Sequence, residues 1–136
     1  WTQVGADGVL VAEDADFDGA FCYPPQAAFD FWIERYSQVL CSHGEDPHSG
    51  RKLVARFLAA DTPQPEIRVN ERAYLTGESK QLPYLTVEAT ADAMIDAGVA
   101  TRQQITEAIT RLRELSNDPT VLFGMPRNVQ VWARRA

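Results

Sequence analysis

The stretch Gly8–Gly19 constrains this chain more than any other part of it. It begins with the apolar run Val9–Ala12 and ends in four acidic residues and a glycine. A near-continuous apolar run of this length is typical of a strand covered on both faces, as in a parallel sheet flanked by helices. We therefore predict a buried strand over residues 9–13. A polar loop over residues 14–26 follows, at the sheet edge where doubly wound folds bind their ligands.

Composition limits the class of protein. The chain has 136 residues with a hydrophobic content of 45%, so we predict a single domain over residues 1–136. The net charge of −6 disfavours nonspecific nucleic-acid binding, which depends on neutralising phosphates. No window is apolar enough to span a membrane, and no leader pattern opens the chain. We therefore expect no membrane association. Two cysteines are too few for a disulfide framework, so we expect a reduced, cytoplasmic setting.

The rest of the chain predicts four helices and two further strands. Apolar residues recur at helical spacing in four segments, and strand-like alternation marks two others. Ser49 is a candidate N-cap of the second helix, Gly98 is expected to end the third, and Thr101 with Gln104 has the capping-box pattern of the fourth. The predicted helices cover residues 27–42, 49–60, 85–97 and 101–116, and the predicted strands residues 66–75 and 129–134.

Neither candidate metal motif is complete. Asp14-x-Asp16-x-Asp18-Gly19 matches the first half of a calcium-binding EF-hand loop, but Pro25 stands where that loop needs a bidentate glutamate. Cys41, His43 and His48 do not have the spacing of a zinc site. We therefore expect no metal.

Three residues are candidate catalytic groups. Asp14 and Asp16 could act as general bases or hold a polar acceptor, and the alternative is that both are merely hydrated. Either His43 or His48 could serve as an acid or base if it reaches this loop, and we select His43 as the candidate. Its alternative is a place at the negative end of the first helix, where the dipole favours a cation.

Aromatic residues near the acidic loop are candidate substrate contacts. Phe17, Tyr23 and Trp32 could line an apolar pocket over the end of the first strand. Trp32 also lies on the apolar stripe of the first helix, so core packing is the alternative for that residue.

Four segments, taken in order, carry a family resemblance. The first is the turn Gly5-Ala6-Asp7-Gly8, and the second is the strand after it, with its acidic end. The third is Gly44–Leu53, which has the pattern Gly-x-Asp-Pro-x-x-Gly-Arg-x-Leu. The fourth is Val131-Trp132-Ala133-Arg134-Arg135, near the end of the sequence. Nearly the whole chain thus resembles the C-terminal half of class I S-adenosylmethionine-dependent methyltransferases of the small-molecule type. In that family a Pro-Gly-Gly turn precedes the fifth strand.

The resemblance implies a fold and a function. The expected fold is α/β: a partial Rossmann-like methyltransferase sheet of three strands, the last one antiparallel and between the other two, with about four helices. The expected function is methyl transfer from S-adenosylmethionine to a small organic acceptor that the loop after the first strand faces. The alternatives are a non-catalytic binding or dimerisation module, and a cofactor-free enzyme that uses the acidic loop and His43.

The family binds its cofactor through segments that lie upstream of anything in this chain. No cofactor-binding residue is therefore carried over, and because the chain begins at Trp1 we expect a fragment or one half of a split protein. The absent fourth strand would leave residues 9–13 with an unpaired apolar edge, which is a liability. We predict that this strand pairs with the missing half, another chain, or a symmetric copy in a homodimer.

Overall fold

The strand that opens the chain pairs with the strand that closes it. The computed structural model describes residues 2–135. Strand β1 (Val9–Asp16) is antiparallel to β6 (Arg127–Arg134), and β6 pairs on its other side with β3 (Glu66–Asn70), again antiparallel. The sheet order is therefore β1-β6-β3, with the last strand in the centre. This is the strand order that the resemblance implied.

Within residues 2–135 the fold is α/β, with four α-helices and two small antiparallel sheets of three strands. The second sheet, in the order β2-β5-β4, was not predicted. Its strands have two or three residues each, which is too short for a sequence alternation to be read. No helix among the described residues is long and apolar enough to cross a membrane. The elements in chain order are β1 (Val9–Asp16), β2 (Phe21–Tyr23), α1 (Ala27–Ser42), α2 (Ser49–Ala59), β3 (Glu66–Asn70), β4 (Ala73–Tyr74), α3 (Leu82–Asp96), α4 (Arg102–Ser116), β5 (Leu122–Gly124) and β6 (Arg127–Arg134).

The prediction that the first strand is covered on both faces, as in a parallel sheet, is wrong. Leu10 and Ala12 pack with α2 in one small core, but Val11 on the opposite face is 54% exposed. Among residues 2–135, α2 packs on one face of this sheet, and Val11 on the other face remains exposed. The apolar sequence run therefore did not mean two buried faces. Both strand pairs of this sheet are antiparallel, so the structure shows an α/β fold without showing a Rossmann-like sheet.

All three predicted strands have bounds that differ from the prediction. β6 begins at Arg127, two residues earlier than predicted. The predicted strand 66–75 is divided, because β3 joins the first sheet and β4 joins the second. β1 continues three residues further than predicted, since its pairing with β6 extends to Asp16 opposite Arg127. The sequence prediction ended the strand where the apolar residues end. The backbone hydrogen bonds with β6 continue through the acidic residues, because they do not depend on the side chains.

The helices agree more closely with their predicted limits. α1 has the predicted bounds and buries Phe29 and Trp32 in the main core, which α3, α4 and β5 complete. α4 has the predicted capping box, with both reciprocal bonds between Thr101 and Gln104. α3 begins three residues earlier than predicted, with a proline in its first turn, where no N–H is needed. The cap of α2 is His48 rather than the predicted Ser49.

Candidate functional site

The acidic end of β1 forms a charged cluster with the start of α2. Asp16 is 1% exposed and accepts two hydrogen bonds from Arg51, from Nε to Oδ2 at 2.7 Å and from Nη2 to Oδ1 at 2.8 Å. Arg51 Nη2 also donates to Asp18 Oδ2 at 2.7 Å. His48 Nδ1 lies 3.4 Å from Asp16 Oδ1. We call these four residues, Asp16, Asp18, His48 and Arg51, the Asp16 cluster.

The electrostatics of the cluster favour a structural role for Asp16. Hydrogen bonds from Arg51 lower the pKa of Asp16 from 3.8 to about 2 and outweigh the burial that acts to raise it, with His48 and the Asp18 N–H adding to the lowering. Asp16 and then Asp18 in turn raise the pKa of Arg51. A carboxylate this acidic is a poor proton acceptor at neutral pH. Its contacts are those of a buried carboxylate paired with a half-exposed guanidinium, rather than of the general base that the sequence suggested.

The other two candidate catalytic residues lie apart from Asp16. Asp14 is exposed, and its Oδ1 accepts the N–H of Ala15 at 2.8 Å. It lines a small cleft of about 470 Å³ between β1, the end of α1 and the start of α2. His43 is the C-cap of α1 and is exposed, which agrees with the helix-end alternative. The histidine that reaches the acidic segment is His48.

The Asp16 cluster has the outline of a metal site but already contains a cation. Ligand atoms of Asp16, Asp18 and His48 lie within 4.8 Å of one another. The Arg51 guanidinium bonds both carboxylates, so a divalent ion would have to displace it or sit beside it. We therefore assign no metal to these residues.

Gly50 permits the close approach of α2 to β1 that assembles the cluster. A Cβ added at Gly50 would lie 2.7 Å from the Asp14 carbonyl oxygen and 3.0 Å from that of Ala15. Alanine normally stabilises a helix interior by about 1 kcal/mol relative to glycine. We expect Gly50→Ala to do the opposite and to lower the free energy of unfolding by about 1–2 kcal/mol, because the obstructing atoms are backbone. Urea denaturation measures it.

Gly5→Ala is the matched control for that substitution, since an added Cβ at Gly5 has no atom within 4 Å. It should change the free energy of unfolding by no more than about 0.5 kcal/mol. A Gly50→Ala protein as stable as the wild type would contradict the close approach.

A larger cleft lies beyond the carboxyl ends of β1 and β3. Its volume is about 860 Å³, within the range of small-molecule sites. The turn after β1, helix α1, β4, the start of α3 and the β5–β6 connection all contribute to it. The lining residues are Glu13, Ala15, Phe17, Trp32, Tyr36, Asn70, Arg72, Tyr74, Glu78, Ser79, Leu82, Leu85, Thr86, Met125, Pro126 and Asn128.

Two of the three predicted substrate contacts line this cleft. Phe17 and Trp32 belong to its wall, and the Phe17 ring lies 5.5 Å from that of Tyr36. Trp32 is also core, at 2% exposure, and its Nε1 has no hydrogen-bond partner among the described residues. A buried hydrogen-bond donor without an acceptor is unusual in proteins, so the Trp32 indole N–H is an unsatisfied polar group in the wall of this cleft. Tyr23 is not in the wall; it is 69% exposed on β2.

A polar group of residues lines the same cleft and was missed in the sequence. The side chains of Ser79 and then Arg72 lower the pKa of Tyr74 through hydrogen bonding. The backbone that carries Ser79 is held by Lys80, whose Nζ donates to the carbonyls of Leu75 at 2.9 Å and Asp118 at 2.5 Å. No sequence motif marks these residues, although β4 and the 3₁₀ turn Glu78–Gln81 lie close together in the chain.

No protein-family model matches this chain, and none of the curated proteins matches it either.

Proposed function

We propose that this chain is the acceptor-side half of an S-adenosylmethionine-dependent methyltransferase that acts on a small organic molecule. The observation that carries the proposal is the cleft beyond the carboxyl ends of β1 and β3, with Phe17 and Trp32 in its wall. α/β folds of the doubly wound kind bind their ligands at that end of the strands. The strand order β1-β6-β3, with an antiparallel last strand, is the order that the resemblance implies.

The residues of this chain do not fit the cofactor itself. β1 runs directly into the turn Phe17–Gly19, and the Asp16 cluster occupies that end of the strand. No glycine-rich loop joins a described strand to a helix N-terminus, the arrangement that binds dinucleotide-like groups. We therefore assign no cofactor ligand to these residues. Their part in the proposed reaction is to hold and orient the acceptor, a large source of rate acceleration in bimolecular reactions.

The outer edge of β1 supports the same proposal. Among residues 2–135, β1 pairs only with β6, and Val9 and Val11 are 42% and 54% exposed. An open apolar edge invites another strand. We propose that the cofactor-binding half adds that strand. Under the alternative of a binding or dimerisation module, another chain or a symmetric copy in a homodimer covers it.

A reducing compartment suits the two cysteines. Cys22 and Cys41 are both free, the first half-buried and the second exposed. Disulfides are rare in the cytoplasm and common outside it. We propose a cytoplasmic setting on this ground.

The decisive experiment joins this chain to the polypeptide encoded upstream of Trp1. Calorimetry should detect no S-adenosylmethionine binding by the isolated chain and clear binding by the joined protein. Hydrogen exchange should slow at the outward-pointing amides of residues 9–13 in the joined protein, because a strand then covers them. A joined protein without cofactor affinity would leave the module alternative, and cofactor binding by the isolated chain would contradict the assignment of the two halves.

A pair of leucine variants tests whether the cleft takes the acceptor. Leu85 lines the cleft and is 46% exposed, whereas Leu58 is 55% exposed and lies outside it. In the joined protein, Leu85→Arg should abolish transfer of a tritiated methyl group into a small-molecule cell extract and leave cofactor binding unchanged. Leu58→Arg should alter neither. Equal activities of the two variants would contradict the cleft assignment.

A further inference from the structure

One residue supplies the positive charge of the large cleft. Arg72 is the only cation among its lining residues, and it makes no ion pair with an acidic side chain in the described part of the chain. Neighbouring Arg127, by contrast, is paired with Glu71. Arg72, Tyr74 and Ser79 all line this cleft. A guanidinium and two hydroxyls side by side form a donor set suited to an anionic oxygen.

The remaining charges of the cleft limit how much negative charge a ligand can carry. Glu13 and Glu78 also line it, so the summed formal charge of the lining side chains is slightly negative. Glu13 Oε2 accepts a hydrogen bond from Gln130 Nε2 at 3.1 Å, which places a partner on one of these acids. A multiply charged ligand such as a phosphate ester would meet two carboxylates for one guanidinium. A single ionised oxygen group needs only one compensating charge, which Arg72 supplies.

The apolar part of the lining favours a flat ring. Phe17, Trp32 and Tyr36 contribute aromatic surface, and Leu85 and Met125 add aliphatic surface. Aromatic side chains pack on planar rings in offset or edge-to-face geometry, which gives such ligands an advantage over saturated ones of equal size. The cleft volume of about 860 Å³ accommodates a bicyclic ring system.

We propose that the large cleft binds an aromatic ligand that carries one ionised oxygen group, a carboxylate or phenolate, with Arg72 and Tyr74 holding that oxygen and the aromatic wall holding the ring. The inference rests on the proposed function in naming the acceptor class of the same site. It also makes a claim about this chain alone, because every residue that it uses lies within the described part.

The test is calorimetry of the isolated chain with three probes. Naphthoate has both the ring and the charge, naphthamide keeps the ring without the charge, and decalin carboxylate keeps the charge without the aromatic ring. We expect naphthoate to bind at least tenfold more tightly than naphthamide, the size of effect that a charged hydrogen bond produces. Decalin carboxylate should bind several-fold more weakly than naphthoate.

Two arginine variants with the same change of net charge locate the anion site. Arg72→Gln should lower naphthoate affinity at least tenfold and remove its advantage over naphthamide. Arg68→Gln, an exposed position on β3 outside the cleft lining, should leave both affinities within twofold. Tyr74→Phe should lower naphthoate affinity about threefold, the order expected for one hydroxyl donor. Circular dichroism checks that each variant is folded.

Four results would overturn the proposal: no binding of naphthoate, equal affinity for naphthoate and naphthamide, equal losses in the two arginine variants, or equal affinity for the decalin and naphthalene acids. Because no cofactor enters this test, its failure is separate from that of the proposed function. If the joined protein binds S-adenosylmethionine but the isolated chain does not bind naphthoate, the proposed acceptor class is wrong. The methyltransferase proposal is then not contradicted.

Discussion

Replacing Asp16 with asparagine is expected to lower the free energy of unfolding by about 2 kcal/mol. Folding lowers the pKa of Asp16 from 3.8 to about 2, and lowering a pKa by one corresponds to about 1.4 kcal/mol of preference for the ionised form. The substitution removes the charge that both nitrogens of Arg51 contact at 2.7 and 2.8 Å. Arg51 is itself half-exposed, so water can hydrate it afterwards and the loss stays near this value. Urea denaturation measures it.

The same pair predicts how stability depends on pH. Because the pKa of Asp16 is lower in the folded state, its contribution is complete above the unfolded value of 3.8 and is lost as the pH falls towards about 2. The wild type should therefore lose stability between about pH 5 and pH 2 more steeply than Asp16→Asn. Asp14→Asn, two residues upstream and exposed, should behave as the wild type does. Identical pH profiles for all three proteins would show that Asp16 is not the ion-pair partner of Arg51.

Replacing Lys80 with methionine is expected to cost about 3 kcal/mol of unfolding free energy. Lys80 has no exposed surface, and its Nζ donates to the Leu75 and Asp118 carbonyls and lies 5.1 Å from the centre of the Phe123 ring. Methionine fills similar space but removes the Nζ donor from both carbonyls, and the Asp118 carbonyl then keeps only the Val121 N–H at 3.3 Å. Each lost hydrogen bond of a buried group costs about 1–3 kcal/mol. The desolvation that lowers the pKa of Lys80 is relieved by the substitution, which offsets part of the loss.

The other lysine of the chain provides the matched control. Lys52 is 54% exposed and contacts Asp46 on the surface, so Lys52→Met should cost less than about 1 kcal/mol. Lys80 also carries the segment with Glu78 and Ser79, and a displacement of that segment should weaken naphthoate binding in Lys80→Met but not in Lys52→Met. Equal stabilities of the two variants would contradict the role of Lys80 as the internal support of this wall.

The sequence pattern correctly predicted several features that depend only on residues close together in the chain. α1 has its predicted bounds because its apolar stripe repeats at helical spacing, and Thr101 with Gln104 caps α4 through bonds within four residues. The strand order around β6 was expected from the family resemblance rather than from periodicity. The prediction failed for Val11, because a continuous apolar run reports side-chain polarity and does not determine whether another element covers each face.

The sequence predicted some residues of the candidate site correctly and missed others. Sequence reasoning selected Phe17 and Trp32 because they stand beside the strand end, and both line the large cleft. It chose His43 over the histidine that meets the acidic segment, His48, since the two are five residues apart and only the turn into α2 decides which one faces Asp16.

The sequence alone determined that there are four helices, the bounds of α1, the capping box of α4 and the apolar strand Val9–Ala12 with its acidic end, since these follow from neighbouring residues. Only the tertiary structure decided what the acidic end does. Arg51 is 35 residues from Asp16, and their pairing makes the candidate base one partner of an ion pair. The segment that carries Tyr74 and Ser79 is likewise tied to a distant part of the chain, because Lys80 donates to the nearby Leu75 carbonyl and to that of Asp118, 38 residues away. Contacts of this kind depend on the path of the whole backbone, which no local pattern encodes.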